Sequence, residues 1–435
     1  MKIVIAILIF GLIVLIHELG HFIFARINGI EVVDFSIGMG PRLCGFRAFG
    51  TRFSVRLLPI GGACMMLGED QDQNMDNDKS FYSKNVWQRI SVLFAGPGFN
   101  FILAFIFSVI IIGIDGFDPA KVVGVSPEGP AAEAGMLEGD VITKIGGSRI
   151  SLGKEVQGYL DYHTIGEEPV KITVKRNGEK VKLTLKPEEY DKYMLGFSYT
   201  VSEDTPAIIG EVSEGDPMAA AGLQKDDIIV QIGGEKIESS ADLAAYFDKT
   251  PLTNQEIEIV YSRNGKETTV SVVPQYSFTG YTLGFSYNLA SEDANAWETL
   301  RYSVAEVKYW IVETGRGLGR LFTGKLKSNE VGSVLAMGDF IGRTYEASKE
   351  FGVKDTILNL MYITVFLSAN IGVMNLLPIP ALDGGKLLFC AIEVIRRKPV
   401  DREKEGMVHF IGLVLLLILM VFLVFNDVKS IFFTK

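Results

Sequence analysis

Cysteine is nearly missing from this chain. Cys44, Cys64 and Cys390 are the only three, and none falls between residues 119 and 290. No C-x-x-C pair exists, which excludes a cysteine redox or metal motif, and disulfides cannot hold the middle of the chain together. Basic patches interleaved with aromatics are missing too, so nucleic-acid binding has no support. Long apolar runs are confined to four stretches, near residues 3–25, 92–114, 357–382 and 407–426. Each is long enough to cross a hydrocarbon layer of about 30 Å as a helix. The first run imitates a signal peptide. No small-x-small site closes it, however, and it flows directly into His17-Glu18-Leu19-Gly20-His21, so it is expected to be retained.

Charge is distributed by segment. Residues 119–290 hold 16 Lys/Arg against 26 Asp/Glu, so this stretch alone equals the chain's net charge of −10. Residues 26–90 carry Arg26, Arg42, Arg47, Arg52, Arg56, Lys79, Lys84 and Arg89, and residues 386–406 carry Lys386, Arg396, Arg397, Lys398, Arg402 and Lys404. Lys and Arg favour the cytoplasmic side of a membrane. The expected topology is therefore four crossings with both termini outside, residues 26–90 and 386–406 inside, and the acidic insert outside.

That insert repeats itself. Pro130, Ala134, Gly135, Asp140 and Arg176-Asn177-Gly178 recur at an offset of 87 residues as Pro217, Ala221, Gly222, Asp227 and Arg263-Asn264-Gly265. Leu195-Gly196-Phe197-Ser198-Tyr199 recurs as Leu283-Gly284-Phe285-Ser286-Tyr287, one residue out of step. A fixed period of this kind means two copies of one module. Each Asn-Gly sits between alternating apolar runs, a hairpin signal, and Ser240–Phe247 reads as a short capped helix. The stretches Pro130–Asp140 and Pro217–Asp227 resemble the bacterial, circularly permuted PDZ domain, an α+β module that binds peptide ends by strand addition. The modules would then either gate access or receive a peptide.

His17 and His21 stand at i and i+4, on one face of a helix, so both imidazoles can hold one Zn²⁺ while Glu18 lies close enough to take a proton from water. Ionisable residues inside a membrane helix cost about 2.5–3.5 kcal/mol each by insertion scales, which makes a packing role for all three hard to defend. A catalytic zinc needs a third protein ligand. His163 lies in the insert and His409 opens the fourth apolar run, and both read as surface or interface residues. Asp383 is the better candidate. It follows Asn370, Asn375, Pro378 and Pro380 and precedes Gly384 and Gly385, where irregular backbone could line a cavity. A helix end capped by Asp-Gly would account for Asp383 alone, but not for the asparagines and prolines with it.

His-Glu-x-x-His in the first run and Asn-x-x-Pro…Leu-Asp-Gly after the third resemble the site-2 protease family of intramembrane zinc metalloproteases. Supporting pieces are Phe35–Gly40, Leu58–Gly62, Ala95–Asn100 and Phe425-Asn426-Asp427, so the likeness runs along the whole chain. Lys386 stands where close relatives often carry a non-ligating His, and Val331-Gly332-Ser333 replaces a Gly-Pro-containing motif. The resemblance implies a polytopic α-helical membrane protein with four transmembrane helices, a membrane-associated β-hairpin and two inserted PDZ domains. The expected division is 1–118 for the first membrane half with a hairpin at 31–60, 119–200 and 201–290 for the PDZ domains, 291–350 for an amphipathic linker, and 351–435 for the second membrane half. It further implies a multi-pass protein of the inner or cytoplasmic membrane, with the PDZ domains extracytoplasmic and the active site near the cytoplasmic side. Its expected partners are membrane lipid and single-span substrates such as trimmed anti-sigma factors or signal-peptide remnants, with peptide ends at the PDZ domains.

In that scheme Glu18 is the general base, and Asn375 and Asn370 steady the oxyanion or the substrate strand. Residues 31–60 alternate as a hairpin beside the active site, with Phe49, Phe53 and Val55 as candidates for the segment that pairs with unwound substrate. Trp297, Leu300, Val304, Val307, Trp310 and Ile311 suggest amphipathic helices on the outer membrane surface, with Lys308, Arg316, Arg320, Lys325 and Lys327 towards headgroups or solvent. Two other classes compete. A PDZ scaffold with a dead site conflicts with the intact Glu18, and a metal transporter fits poorly with tandem PDZ modules and only three candidate ligands.

Overall fold

A computed structural model describes residues 2–69, 77–201, 205–288, 290–324 and 334–433. Val331-Gly332-Ser333, Lys325 and Lys327 lie outside them. The chain divides into two compact units, residues 1–118 with 290–435, and residues 119–289.

Within the first unit, four helices are long and apolar enough to cross a membrane, namely Lys2–Ile27, Val86–Asp115, Val353–Leu376 and the Arg402–Val421 part of a longer helix. The second begins six residues before its apolar run because Asn85 and Gln88 cap each other. Gln88 N–H donates to Asn85 Oδ1 at 2.9 Å and Asn85 N–H donates to Gln88 Oε1 at 3.2 Å, satisfying two donors that a helix start otherwise leaves open. The third stops at Leu376, six residues short of the end of its apolar run. Pro378 and Pro380 lack the N–H that further helical turns need, so residues 377–382 form an irregular turn before a new helix, Asp383–Arg396.

The expected hairpin is longer and more folded than 31–60. Strands Val32–Ala48 and Thr51–Met66 each bend, so Phe35 faces both Cys64 and Phe53, and Val55 faces both Ile37 and Cys44. Four segments thus lie side by side, with 62–66 on one margin, then 32–37, then 51–55, and 42–48 on the other. The linker helix Ala296–Phe322 departs from expectation. Rather than merely lying on a surface, it packs against the Val86–Asp115 and Val353–Leu376 helices, with Trp310 edge-on to Phe366 at 4.7 Å. It also buries Glu306, which accepts the indole N–H of Trp310 at 2.9 Å.

The second unit holds two cores of the same plan. One gathers Ile142, Ile145, Val156, Ile172, Val174 and Leu185, the other Ile229, Ile232, Leu243, Ile259 and Val272. A buried ion pair recurs with the repeat. Arg176 clamps Asp140 at 2.7 Å and the Gly135 carbonyl at 2.7 Å, while Arg263 clamps Asp227 at 2.6 Å and the Gly222 carbonyl at 2.8 Å. Burial raises each carboxyl's pKa, but hydrogen bonds from its arginine and from the N–H of Leu137 or Gln224 more than offset that, leaving both below the ordinary value.

The cores do not divide at residue 200. Leu195, Phe197 and Tyr199 pack into the second core, and Leu283, Phe285 and Tyr287 return to the first. Phe197–Ser198 pairs with Glu211–Val212, and Phe285–Tyr287 pairs with Val122–Val125. Strands Glu188–Met194 and Gln275–Thr282 pair with each other as a ribbon leading out and back. The second module is therefore inserted into the first, which a tandem reading of the repeat does not anticipate.

Candidate active site

His17 and His21 share a buried face of the first helix because four residues make just over one turn. The turn at 377–382 brings Asp383 to the same place. His17 Nε2 lies 3.2 Å from His21 Nε2, and Asp383 Oδ2 lies 3.1 Å and 3.3 Å from the two. A tetrahedral Zn²⁺ with bonds of roughly 2.0–2.1 Å sets its ligand atoms about 3.3 Å apart, so this triangle is the right size for the ion. Asp383 Oδ2 is buried with no hydrogen-bond donor among the described residues besides these two imidazole nitrogens, which also suits a ligand oxygen.

The imidazoles are aimed from behind. His21 Nδ1–H donates to the Val92 carbonyl at 2.9 Å, which leaves Nε2 as the lone-pair nitrogen. Asn100, fully buried, places an amide end 3.3 Å from His17 Nδ1. Its Oδ1 is buried without a donor, and since the two ends of an amide are interchangeable in shape, Oδ1 can take the His17 Nδ1–H and free Nε2 for the metal. Gly96 closes the wall. A Cβ there would stand 2.3 Å from His21 Nε2 and 2.9 Å from His17 Cε1, so only glycine leaves room for both rings. Asn100 and Gly96 belong to the Ala95–Asn100 run noted in the sequence, but residue type alone does not mark them as neighbours of the histidines.

Glu18, Asn375, Cys64, Met66, Glu69 and Leu382 help to line a cavity of about 240 Å³ around the triad. The margin segment 62–66 runs directly beside Glu18, since a Cβ on Gly62 would come 2.9 Å from Glu18 Cγ. Glu69, just beyond that segment, pairs with Lys386 at 2.5 Å, one turn past Asp383. Sequence reasoning misses this acid and lysine as partners, because nothing in their spacing connects them.

Other expected residues lie elsewhere. Asn370 accepts a hydrogen bond from Thr314 Oγ1 and does not line the cavity. Phe49 sits exposed in the tight turn between the strands with φ 50°. Phe53 stacks on Phe46 at 5.3 Å and packs edge-on to Phe22, and Val55 is flanked by two strand segments. These three occupy the turn and the interior of the folded sheet, so the open margin beside Glu18 is 62–66 instead. His163 stacks on Tyr159 at 4.1 Å in the insert. His409 is an interface residue, its Nδ1 accepting the Ala381 N–H at 2.8 Å.

Residues 5–419 match the model of peptidase family M50. A protein of Geobacillus kaustophilus named zinc metalloprotease RasP is 30% identical over 437 residues, covering 98% of this chain and 97% of that protein. The regulator of sigma-W protease RasP of Bacillus subtilis is 30% identical over 442 residues, covering 98% of each. Among solved structures, the PDZ domain of HtrA3 bound to a phage-derived ligand overlaps at 20% identity, covering 21% of this chain and 93% of that one, with a TM-score of 0.18.

Proposed function

The chain belongs to peptidase family M50 and is a multi-pass zinc metalloendopeptidase of the site-2 type, and we propose that His17, His21 and Asp383 hold the zinc while Glu18 is the general base. The observation that carries the assignment is the triangle of Nε2, Nε2 and Oδ2 atoms, 3.1–3.3 Å on each side, with Glu18 in the same cavity. Bound zinc supplies Lewis-acid polarisation of the scissile carbonyl and eases deprotonation of water. Glu18 takes the proton from the attacking water and passes it to the leaving amine. Asn375 lines the same cavity, which supports a role in donating its amide N–H to the developing oxyanion, whereas Asn370 is read as a positioning residue tied to Thr314.

A helical substrate hides its carbonyls in its own hydrogen bonds, so it must unwind before it reaches Glu18. The 62–66 margin, with Gly62 against Glu18, is the edge on which an unwound strand would pair. The direct test uses purified chain and a single-span model substrate. About one zinc per chain is expected, with cleavage lost on chelation and regained with zinc. Cleavage that persists in zinc-free protein would overturn the assignment.

Both inserted modules are read as circularly permuted PDZ domains lying outside the membrane, with the metal site near the cytoplasmic face. The acidic insert and the basic 26–90 and 386–406 segments support that orientation. In a background lacking Cys44, Cys64 and Cys390, Lys180→Cys and Lys266→Cys should react with an impermeant reagent in intact cells and Lys398→Cys should not. The opposite labelling inverts the topology.

Of the two modules, the second is the better candidate for a peptide receptor. A cleft of about 490 Å³ borders Leu195-Gly196-Phe197 and the Ser240–Lys249 helix, lined by Phe247, Pro251 and Leu252. In the first module the Tyr287 hydroxyl donates to Gln157 of the matching helix at 3.0 Å, bridging strand to helix, while the repeat places Ala244 opposite Gln157. This favours reception by the second module of an apolar peptide end left by earlier trimming. The sigma-W regulator named among the relatives supports anti-sigma-factor-like substrates, and signal-peptide remnants belong to the same chemical class of single apolar spans. Phe247→Glu should slow cleavage of a trimmed substrate severalfold without changing zinc content. Faster cleavage of the untrimmed substrate by the same variant would instead mark the module as a gate.

A further inference from the structure

The turn that delivers Asp383 is held in an unfavourable backbone state. Ala381, two residues before it, has φ 75°, a left-handed conformation in which a side chain crowds the backbone. Glycine occupies such positions without that conflict, yet the chain keeps alanine here. The N–H of this strained residue is directed out of the turn and is accepted by His409 Nδ1 at 2.8 Å. His409 comes from the Arg402–Phe433 helix.

The histidine is itself fixed on several sides. Its ring packs against Phe389 with centroids 5.5 Å apart, and a Cβ on Gly385 would come 3.1 Å from its Cε1. One helical turn on, Gly412 seats the same helix against Pro380, since a Cβ there would come 2.3 Å from the proline's Cβ. His409 Nε2 is buried without a partner among the described residues. With Nδ1 as the acceptor, Nε2 carries the ring proton and has no partner to orient it, a cost that the Nδ1 bond and the packing around the ring must offset. Nothing in the reaction requires His409, and it does not line the metal cavity.

We propose that His409 is a positioning residue of the metal site, which holds Ala381 left-handed through the N–H···Nδ1 bond and thereby sets where Asp383 Oδ2 stands. The inference rests on the reading of Asp383 as a zinc ligand. Outer contacts of this kind typically change metal affinity or activity by about 10–100-fold when lost.

The test uses full-length protein in detergent, loaded with zinc, and measures four quantities: zinc transfer to a competing chelator, kcat and KM on a model span, and the Tm. His409→Ala should release zinc about tenfold faster or more and lower kcat by a similar factor, with KM within about twofold. His409→Asn, whose Oδ1 can take the place of Nδ1, should stay near wild type. Ala381→Gly in the His409→Ala background should recover most of the loss, because glycine needs no hydrogen bond to stay left-handed. Wild-type zinc release and kcat in His409→Ala would overturn the proposal. So would an Asn variant as impaired as the Ala variant with an equally lowered Tm, which would make the histidine a packing group only, or a double variant with no recovery. Failure of the ligand reading looks different: the Asp383→Ala variant would then hold zinc no less firmly than wild type.

Discussion

Glu18→Gln should leave zinc content at the wild-type level and lower cleavage by about 10²–10⁴-fold. Glutamine keeps the shape of glutamate and removes its ability to accept a proton from water. The two imidazoles flank position 18 on the same helix but reach the metal through their own Nε2 atoms, and Asp383 supplies the oxygen. No ligand is lost by the change. Zinc analysis and turnover on the same preparation provide the check. Turnover on the order of a tenth of wild type or more, with zinc in place, would be incompatible with proton transfer by Glu18.

Asp383→Ala should produce the complementary result, with zinc and activity falling together. Removing Oδ2 leaves two nitrogens 3.2 Å apart and an incomplete site, where a catalytic zinc calls for three protein ligands. At least a tenfold loss of bound zinc after dialysis is expected, with cleavage reduced at least as far. Full zinc occupancy with unchanged turnover would place the third ligand elsewhere. Asp383→Asn makes a useful companion, because it keeps the volume and an oxygen but not the charge. It should bind zinc more weakly than wild type and more strongly than the alanine form.

Local chemistry decides how much of this site is legible in the sequence. His17, Glu18 and His21 span little more than one helical turn, so their convergence follows from helix geometry alone. Asp383 is reachable because a carboxylate set among prolines and glycines at the end of an apolar run points to backbone that lines a cavity. Asn100, Gly96 and the Val92 carbonyl are not, since their relation to the histidines depends on how one span packs against another. The folded sheet misleads for a related reason. Alternation marks strands but not their neighbours, so Phe53 and Val55 resemble edge residues in sequence, whereas each strand bends and pairs twice. The linker helix departs from expectation because its apolar spacing reads as a single face laid on a membrane surface. Glu306 instead finds the indole N–H of Trp310 in the interior. The role of His409 is invisible in sequence because one hydrogen bond to a backbone N–H leaves no trace in composition.

The nesting of the two inserted modules sets an order of events during synthesis. Residues 195–272 supply the second core as a continuous stretch, so it can close once its own strands have emerged. The first core waits for Leu283, Phe285 and Tyr287, which arrive almost a hundred residues after Leu185 has been made. Until then its Val122–Val125 strand has an open edge, and unpaired edges of this kind are where nascent chains associate wrongly. The paired ribbon of 188–194 and 275–282 shortens that wait. Once the inner module has folded, its two ends emerge side by side, and the returning strand is delivered next to the core that lacks it.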